Sequence, residues 1–291
     1  MEILRQSRKE IHMRFQKYVA AGNDFIVFKA EDLGGIDYRD LSSKVCHRKF
    51  GIGADGILVA EESSFADIKM VYYNSDGSQG EMCGNGIRTF SKFLYDNDIV
   101  RKDNMSIETL AGVKHINLRL EDGDIRLIEV NMGSPIFEGE QIPVRLEDGQ
   151  EGPVLDREIL VDGRTYKFSA VRVGVPHVVI FLDSVRQDLI DRVGYEIERH
   201  PLFPQKTNVN FVEIVDRNYI KNYTWERGAG RTLGCGTGSC SAVVVGHRLG
   251  LLDEIVDVKT EGGILQVNLE GEEIIMKGKS SLIAEGEYIY E

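Results

Sequence analysis

The sequence has no apolar run that approaches the length of about 18 residues expected of a membrane-spanning helix. Its charged opening, MEILRQSRKEIH, lacks the apolar segment of a secretory signal peptide. Only 4 cysteines occur in 291 residues, and they do not have the spacing of a disulfide framework. These absences predict a cytoplasmic protein whose thiols stay free.

Positive charge is also scarce, since 35 Lys and Arg residues face 47 Asp and Glu residues and leave a formal charge of −12. Nucleic acids and anionic membranes are held by clustered Lys and Arg side chains, so neither is an expected partner. A hydrophobic content of 42% is typical of a globular protein, and a length of 291 residues predicts two domains. A small molecule is therefore the expected partner.

Two familiar motifs are missing or misplaced. No Cys-x2-Cys pair occurs, and Cys235 and Cys240 fall on one predicted turn and helix, which argues against a zinc site. Gly51 to Gly56, GIGADG, matches the dinucleotide fingerprint, but that fingerprint follows a strand and opens a helix. Here charged CHRKF precedes it and strand-like ILVAE follows, so we interpret it as a glycine-rich loop that enters a strand.

The two halves of the chain have similar patterns of predicted strands and one main helix each. The first helix follows Cys83, with Ile87, Phe90 and Leu94 at helical spacing, and the second follows Cys235 and is apolar nearly all round. The repeat predicts an α+β protein of two pseudo-symmetric domains with a cleft between them. Polar residues up to about 12 read as an extension, and acidic residues 146–158 as an exposed loop. The predicted strand segments are MRFQKYV, FIVF, GILVAE, IKMVYYN, MSIETLAGVKHINLRL, DIRLIEVNMG, REILVDGRTYKFSAVRVG, VVIFLD, VNFVEIV and NYIKNYTWE.

The strongest chemical signal is the matched pair Cys83, in EMCGNGIRTF, and Cys235, in GCGTGSC. A cysteine at a helix start meets unpaired N–H groups and the positive end of the helix dipole, so we expect its pKa to fall. One thiolate and one thiol on opposite faces can invert an α-carbon, one removing a proton and the other returning one. The alternative for each cysteine alone is a small buried hydrophobic residue beside a tight turn.

Other positions admit both a functional and a structural interpretation. AGNDF, around Asn23, can be a hairpin turn, and His177 can be a general acid or base or a structural residue. Glu226 and Arg227 precede Cys235 in WERGAGRT, where they form either a surface ion pair or a clamp for a charged substrate.

Taken together, these segments resemble the diaminopimelate epimerase family of cofactor-independent racemases, from about Arg14 to the end of the chain. The resemblance implies two domains, each a barrel-like sheet around a central helix, with bounds 13–135 and 136–277. It also implies that a strand at about 278–291 rejoins the first domain, and that the subunits form homodimers. The motifs that carry it are GNDF, FGIGADG, YNSDGSQGEMCGNGIRTF, IETLAG, VPHVVIF, NVNFVEI and WERGAGRTLGCGTGSC.

The resemblance also implies roles for individual residues. Cys83 and Cys235 would be the base and acid, with His177 and Glu226 supporting their proton transfers. The carboxylate at the reacting carbon would be held by Gly84, Asn85, Gly236 and Thr237. The remaining substrate contacts would be Asn23, Asn74, Asn208, Glu226 and Arg227.

The implied reaction is LL-diaminopimelate to meso-diaminopimelate, in lysine and peptidoglycan precursor biosynthesis, without pyridoxal phosphate or metal. Three departures bear on the substrate: Val175 stands where the family usually has Asn, YVAAGNDF lacks the usual His, and KGKSSLIAEGE replaces Gly-Pro-Ala. One neutral hydrogen bond lost costs about 0.5 to 1.5 kcal/mol. The alternatives are a racemase for another amino acid, such as histidine or lysine, and a thiol-redox or ligand-binding protein on the same fold.

Overall fold

The computed structural model describes residues 10–146 and 152–290, so most of the predicted polar extension and part of the predicted acidic loop lie outside the described residues. The helices are α1 (Tyr38–Val45), α2 (Gly84–Asp96), α3 (Gln187–Glu198) and α4 (Gly236–Arg248), with a short 3-10 turn at Ala30–Leu33. The strands of the first half are β1 (Ile11–Ala20), β2 (Asn23–Lys29), β3 (Gly56–Glu61), β4 (Ile68–Asn74), β5 (Gln79–Gly80), β6 (Asn104–Thr109), β7 (Gly112–Glu121) and β8 (Asp124–Asn131). The later strands are β9 (Arg157–Val161), β10 (Arg164–Val173), β11 (Val175–Phe181), β12 (Asn208–Asp216), β13 (Tyr219–Glu226), β14 (Gly230–Thr232), β15 (Ile255–Thr260), β16 (Gly263–Glu270), β17 (Glu273–Gly278) and β18 (Ser281–Tyr290).

The chain passes twice through the same order of strand pairings. In the first half β1 is antiparallel to β2, β2 parallel to β3, β3 antiparallel to β4, and β4 parallel to β6. In the second half β10, β11, β12, β13 and β15 pair in the same order and with the same orientations. Each half then ends in an antiparallel meander, β6 to β8 and β15 to β17. The repeat predicted from the sequence is therefore a repeat of topology.

Two pairings connect this repeated sheet. β8 is antiparallel to β17, which joins the last strand of each meander. β18 is antiparallel to β1, from Ile11 opposite Tyr290 to Val19 opposite Ser281, just as β9 pairs with β10. The last strand thus adds to the sheet of the first half. The bounds 13–135 and 136–277 remain a prediction for the two domains.

Helices α2 and α4 occupy equivalent positions inside the two halves. Helix α2 packs against β1, β2 and β8, and α4 packs against β10, β11, β12 and β16. Ile87, Phe90 and Leu94 of α2 are fully buried, as their spacing predicts. Burial of each such side chain stabilises the folded protein by about 1.5 to 3 kcal/mol. This packing holds both helices, with their N-termini, in the interior.

The glycine-rich segment Gly51 to Gly56 behaves as its context predicts. It leaves the turn after α1, runs as a loop and enters β3 at Gly56 without opening a helix. Helices α1 and α3 and strands β15 to β17 are elements that the sequence patterns did not reveal. None of the helices within residues 10–146 and 152–290 has the length and apolar character to cross a membrane.

Candidate active site

Each of the two predicted cysteines occupies the N-cap of a central helix. Cys83 precedes α2 with φ −134° and ψ 124°, and Cys235 precedes α4 with φ −111° and ψ 117°. This extended backbone turns the chain into the helix and leaves the first N–H groups without helical partners. Cys83 Sγ accepts one of them, from Gly86 N at 3.3 Å. Both cysteines are free thiols.

The two helix starts lie against each other. A Cβ built on Gly84 would lie 3.7 Å from the Cα of Gly236, and 3.1 Å from Cε of Met276. Asn85 crosses between the halves, since its Nδ2 donates to the carbonyl oxygen of Gly234 at 2.9 Å. Residues that precede and begin both helices therefore converge on one place, where backbone N–H groups suit an anionic carboxylate.

The Asn85 side chain is held at both its nitrogen and its oxygen by groups of the protein. Its Oδ1 accepts from Arg88 Nη2 at 2.7 Å while its Nδ2 contacts Gly234. The bond to Gly234 uses one of the two N–H donors of Nδ2, and the backbone N–H of Asn85 is a further donor at the start of α2.

The prediction of a lowered thiol pKa is wrong for Cys83 in this structure. Burial, with a smaller contribution from the negative charge of Glu226, raises the pKa of its thiol to about 11. Hydrogen bonds from the N–H groups of Gly86 and Asn85 act in the opposite direction but do not outweigh burial. For a sulfur that is buried away from water, desolvation raises the thiol pKa by more than a helix N-terminus lowers it.

Cys235 meets the same conflict. Burial raises its thiol pKa well above the usual value, the charge of Glu226 adds to this, and hydrogen bonds from Thr237 and Gly238 N–H oppose it. Thr237 Oγ1 lies 3.4 Å from Cys235 Sγ. Both thiols are therefore protonated at neutral pH in the absence of substrate.

Glu226 lies beside Cys235, as its predicted supporting role requires. Its carboxylate accepts a hydrogen bond from the Cys235 thiol and another from Thr232 Oγ1, the latter at 2.6 Å. Burial raises the pKa of this carboxyl, and the two hydrogen bonds offset part of that rise. Glu226 is thus a proton acceptor in contact with one of the two thiols.

Asn23 and Asn74 come from strands on the Cys83 side. Asn23 Oδ1 accepts from Cys83 Sγ at 3.6 Å. Asn74 lies at the end of β4, where its Oδ1 accepts from the Tyr72 hydroxyl and its Nδ2 donates to Ser78 Oγ at 2.9 Å. Asn23 therefore touches a thiol, whereas Asn74 contacts Tyr72 and Ser78.

Asn208 and Arg227 form one unit on the opposite side. Asn208 Oδ1 accepts from the backbone N of Arg227 at 2.9 Å, and its Nδ2 donates to the carbonyl oxygen of Pro176 at 2.9 Å. The guanidinium of exposed Arg227 donates to the carbonyl oxygen of Gln205 at 3.1 Å. Asn208 thus fixes the backbone that presents Arg227.

His177 is fully buried, and its hydrogen bonds argue against proton shuttling. Asn210 Nδ2 donates to the carbonyl oxygen of Val178 at 3.0 Å, which identifies it as the NH2 group, and it lies 3.1 Å from His177 Nδ1. Nδ1 is therefore an acceptor and Nε2 carries the proton. Burial, with Arg227 nearby, lowers the imidazole pKa to about 3. His177 is therefore a neutral imidazole at neutral pH, and its buried Nε2 has no hydrogen-bond partner among the described residues.

No group of three or more His, Cys, Asp or Glu side chains is arranged to hold a metal ion in residues 10–146 and 152–290. The site described so far consists of thiols, amides, one carboxyl, one imidazole, one guanidinium and helix N-termini. Such groups can move protons and bind an amino acid with its carboxylate.

A family model described as diaminopimelate epimerase matches residues 15–138 and 169–283 of the chain. The diaminopimelate epimerase of Caldanaerobacter subterraneus subsp. tengcongensis is 46% identical over 276 residues, covering 94% of this chain and 99% of that protein. The diaminopimelate epimerase of Alkaliphilus metalliredigens is 43% identical over 281 residues, covering 96% and 98%. The chain belongs to the diaminopimelate epimerase family.

Solved structures extend the likeness in fold beyond the diaminopimelate epimerase family. A hydroxyproline epimerase from Agrobacterium vitis has a TM-score of 0.69 at 15% identity, covering 96% of this chain and 91% of that one. A probable proline racemase from Agrobacterium radiobacter has a TM-score of 0.70 at 16% identity, covering 94% and 92%. The predicted family, the α+β fold of two repeats and the isomerase class are confirmed.

Three residues of this family member's site were missed from the sequence. Arg88, fully buried, donates to the carbonyl oxygen of Gly84 at 3.0 Å and to Asn85. Tyr72 lies close enough to Cys83 for the thiol's charge to raise its pKa, although burial is the larger cause. Asp55 accepts from Asn23 Nδ2 at 2.6 Å. Asp55 lay in the quoted glycine loop, and its acidic side chain next to a turn was the available signal.

Proposed function

We propose that this protein is a diaminopimelate epimerase, which inverts one α-carbon between LL-diaminopimelate and meso-diaminopimelate without pyridoxal phosphate or metal. The observation that carries the proposal is the pair of thiols, Cys83 and Cys235, at the N-caps of two helices whose first residues touch. The names of the relatives favour diaminopimelate over histidine or lysine as substrate. The reaction belongs to lysine and peptidoglycan precursor biosynthesis.

In the proposed reaction one cysteine, as thiolate, removes the α-proton and becomes a thiol. The other cysteine, as thiol, delivers its proton to the opposite face of the carbon and becomes the thiolate. The carbon–hydrogen bond that breaks on one face is replaced by one that forms on the other, and protons exchanged with solvent restore the starting state. The two cysteines exchange roles with the direction of reaction.

The raised thiol pKa values support this assignment. A thiolate whose conjugate acid has a pKa near 11, as burial gives Cys83, is a stronger base than an ordinary cysteine thiolate. The α-carbon is a very weak acid, so a stronger base reduces the pKa difference between the α-carbon and the thiol that proton transfer must overcome. Glu226, which accepts from the Cys235 thiol, is positioned to take the proton that generates that thiolate.

The substrate contacts are assigned as follows. Backbone N–H groups of Gly84, Asn85, Gly236 and Thr237 hold the carboxylate at the reacting carbon and stabilise charge that develops there. The distal amino-acid group lies toward Arg227, whose exposed guanidinium can pair with a carboxylate, and toward Asn208 and Asn74. Val175, in place of an amide, removes one hydrogen bond without removing the cation.

The test is an assay of the wild-type chain and two single variants against a panel of amino acids. LL-diaminopimelate should be converted and histidine and lysine should not, as followed by chiral chromatography. Cys83→Ala and Cys235→Ala should each lose turnover, whereas Cys240→Ala, at a buried thiol in the body of α4, should keep it. A fully active Cys83→Ala or Cys235→Ala variant overturns the two-thiol proposal.

We also infer a homodimer in the cytoplasm. Support for self-association comes from apolar side chains exposed on β18: Leu282 is 44%, Ile283 54% and Ile289 49% exposed. Apolar side chains exposed on an edge strand are typical of an interaction surface. Light scattering after size exclusion should give twice the chain mass of 32.7 kDa.

A further inference from the structure

The orientation of the Asn23 amide is fixed by its neighbours. Its NH2 group, Nδ2, donates to Asp55 Oδ2 at 2.6 Å, and a carbonyl oxygen could not occupy that place beside a carboxylate. Its Oδ1 therefore faces the other way, toward Cys83 Sγ at 3.6 Å. A carbonyl oxygen can only accept a hydrogen bond, so this contact requires the proton to be on sulfur.

Asp55 is itself held at both oxygens. Its Oδ2 also accepts from the backbone N of Asp24 at 3.1 Å, and its Oδ1 accepts from Arg48 Nη2 at 2.8 Å. Its own backbone N donates to the carbonyl oxygen of Asp24 at 2.9 Å. With these bonds the carboxylate cannot turn away from Asn23.

We propose that Asp55 is a positioning residue that holds the Asn23 carbonyl oxygen against Cys83 and so keeps Cys83 in its protonated, acid form in the free enzyme. The inference rests on the proposed role of Cys83 as one of the two proton-transfer groups. It explains why a carboxylate at the end of a glycine-rich loop is bound to an asparagine of the β1–β2 hairpin. Cys235 has no such amide acceptor among its described contacts and faces Thr237 and Glu226 instead.

The other charged and titratable groups around Cys83 do not replace this contact. Arg88, from α2, favours the thiolate, whereas Glu226, from β13, favours the thiol. The hydroxyl of Tyr72, from β4, and the Cys235 thiol also lie near Cys83. Among the described residues, Asn23 is the group that accepts a hydrogen bond from the Cys83 thiol, so Asn23 sets the direction of that proton.

The experiment measures alkylation of Cys83 by iodoacetamide in the Cys235→Ala background, with the modified residue identified by mass spectrometry. Asp55→Ala frees the Asn23 amide to turn its N–H toward sulfur, which favours the thiolate. We expect the alkylation rate at pH 8 to rise about tenfold, the equivalent of one pKa unit.

Asp24→Ala is the matched control. Asp24 accepts from Arg48 at 2.8 Å and pairs with Lys17 at 2.8 Å, but its side chain does not touch the Asn23 amide. The Asp24→Ala variant removes one carboxylate from the same cluster, and we expect less than about a threefold change in the alkylation rate because Asp24 is not among the groups that shift the pKa of Cys83. In an Asn23→Ala background, Asp55→Ala should have no further effect.

Equal rates in the Asp55→Ala and Asp24→Ala variants, or an effect of Asp55→Ala that persists without Asn23, overturn the inference. If Asp55→Ala does not fold, Asp55→Asn serves in its place and must change the rate in the same direction. Alkylation does not depend on turnover. If Asp55→Ala raises the rate but the protein with both cysteines intact converts no diaminopimelate, only the proposed function is overturned. If the protein with both cysteines intact is an active epimerase but Asp55→Ala leaves the alkylation rate unchanged, only the role of Asp55 is overturned.

Discussion

The neutral state of His177 predicts a specific loss of stability in acid. Its imidazole pKa falls from 6.5 to about 3 on folding because the ring is buried. The unfolded chain therefore binds a proton between these values that the folded protein does not. The stability that this group contributes is complete above pH 6.5 and is lost as pH falls from 6.5 toward 3.

The magnitude follows from the interval between the two pKa values. A pH of 5 is 1.5 units below the pKa of 6.5 of the unfolded imidazole. At about 1.36 kcal/mol per unit, the free energy of unfolding at pH 5 is therefore about 2 kcal/mol lower than at pH 8. The His177→Gln variant has no titrating group at this position and should not show this loss of stability. All other titrating groups contribute equally to the pH dependence of both proteins.

The assay is urea unfolding of wild type and His177→Gln at pH 8 and pH 5. The free energy of unfolding of the wild type should fall by about 2 kcal/mol more than that of the variant between the two pH values. Parallel losses in both proteins would mean that His177 is charged or solvated in the folded state. The reasoning from burial and from the Asn210 hydrogen bond would then be wrong.

Three further outcomes follow from the site. Glu226→Gln should reduce turnover at least tenfold, as measured by steady-state kinetics. It should also speed alkylation of Cys235, as measured by mass spectrometry, because the charge of Glu226 raises the pKa of that thiol. Gly236→Ala should fold but lose activity, because its Cβ would lie 2.9 Å from Met276 Sδ, and Met276→Ala should restore part of that activity in kinetic assays. Oxidation should join Cys83 to Cys235 and abolish turnover until a reductant is added, as followed by peptide mapping. Activity that survives oxidant would count against close approach of the thiols.

Local patterns were enough to predict much of the fold. After its Cys-Gly turn, α2 carries apolar residues at helical spacing and α4 is apolar nearly all round, and the strands before each helix have clear alternating patterns. Helix α3 was missed because Gly194 lowers its helix propensity. The glycine is needed for close packing against Trp225, since a Cβ on Gly194 would lie 2.7 Å from Trp225 Cβ, and the sequence does not reveal that contact. The eight residues of α1 give too few turns for a periodic signal.

The site was predicted in its residues but not in its electrostatics. The cysteine pair was recognised because two helix starts repeat the same letters. The direction of the Cys83 pKa shift was wrong because sequence reveals a helix dipole but not how far a sulfur is removed from water. The engagement of Asn85 by Arg88 depends on a buried guanidinium, which no spacing rule indicates.

The most direct test of the two-thiol reaction is to incubate LL-diaminopimelate with the enzyme in deuterium oxide. The deuterium content of the meso product and of the remaining LL substrate is then measured early in the reaction. If Cys83 and Cys235 act on opposite faces, the first meso product carries solvent deuterium at the inverted carbon, and the remaining LL substrate carries none. Meso product that keeps the original hydrogen at that carbon would mean that one group returns the same proton, and would contradict the account.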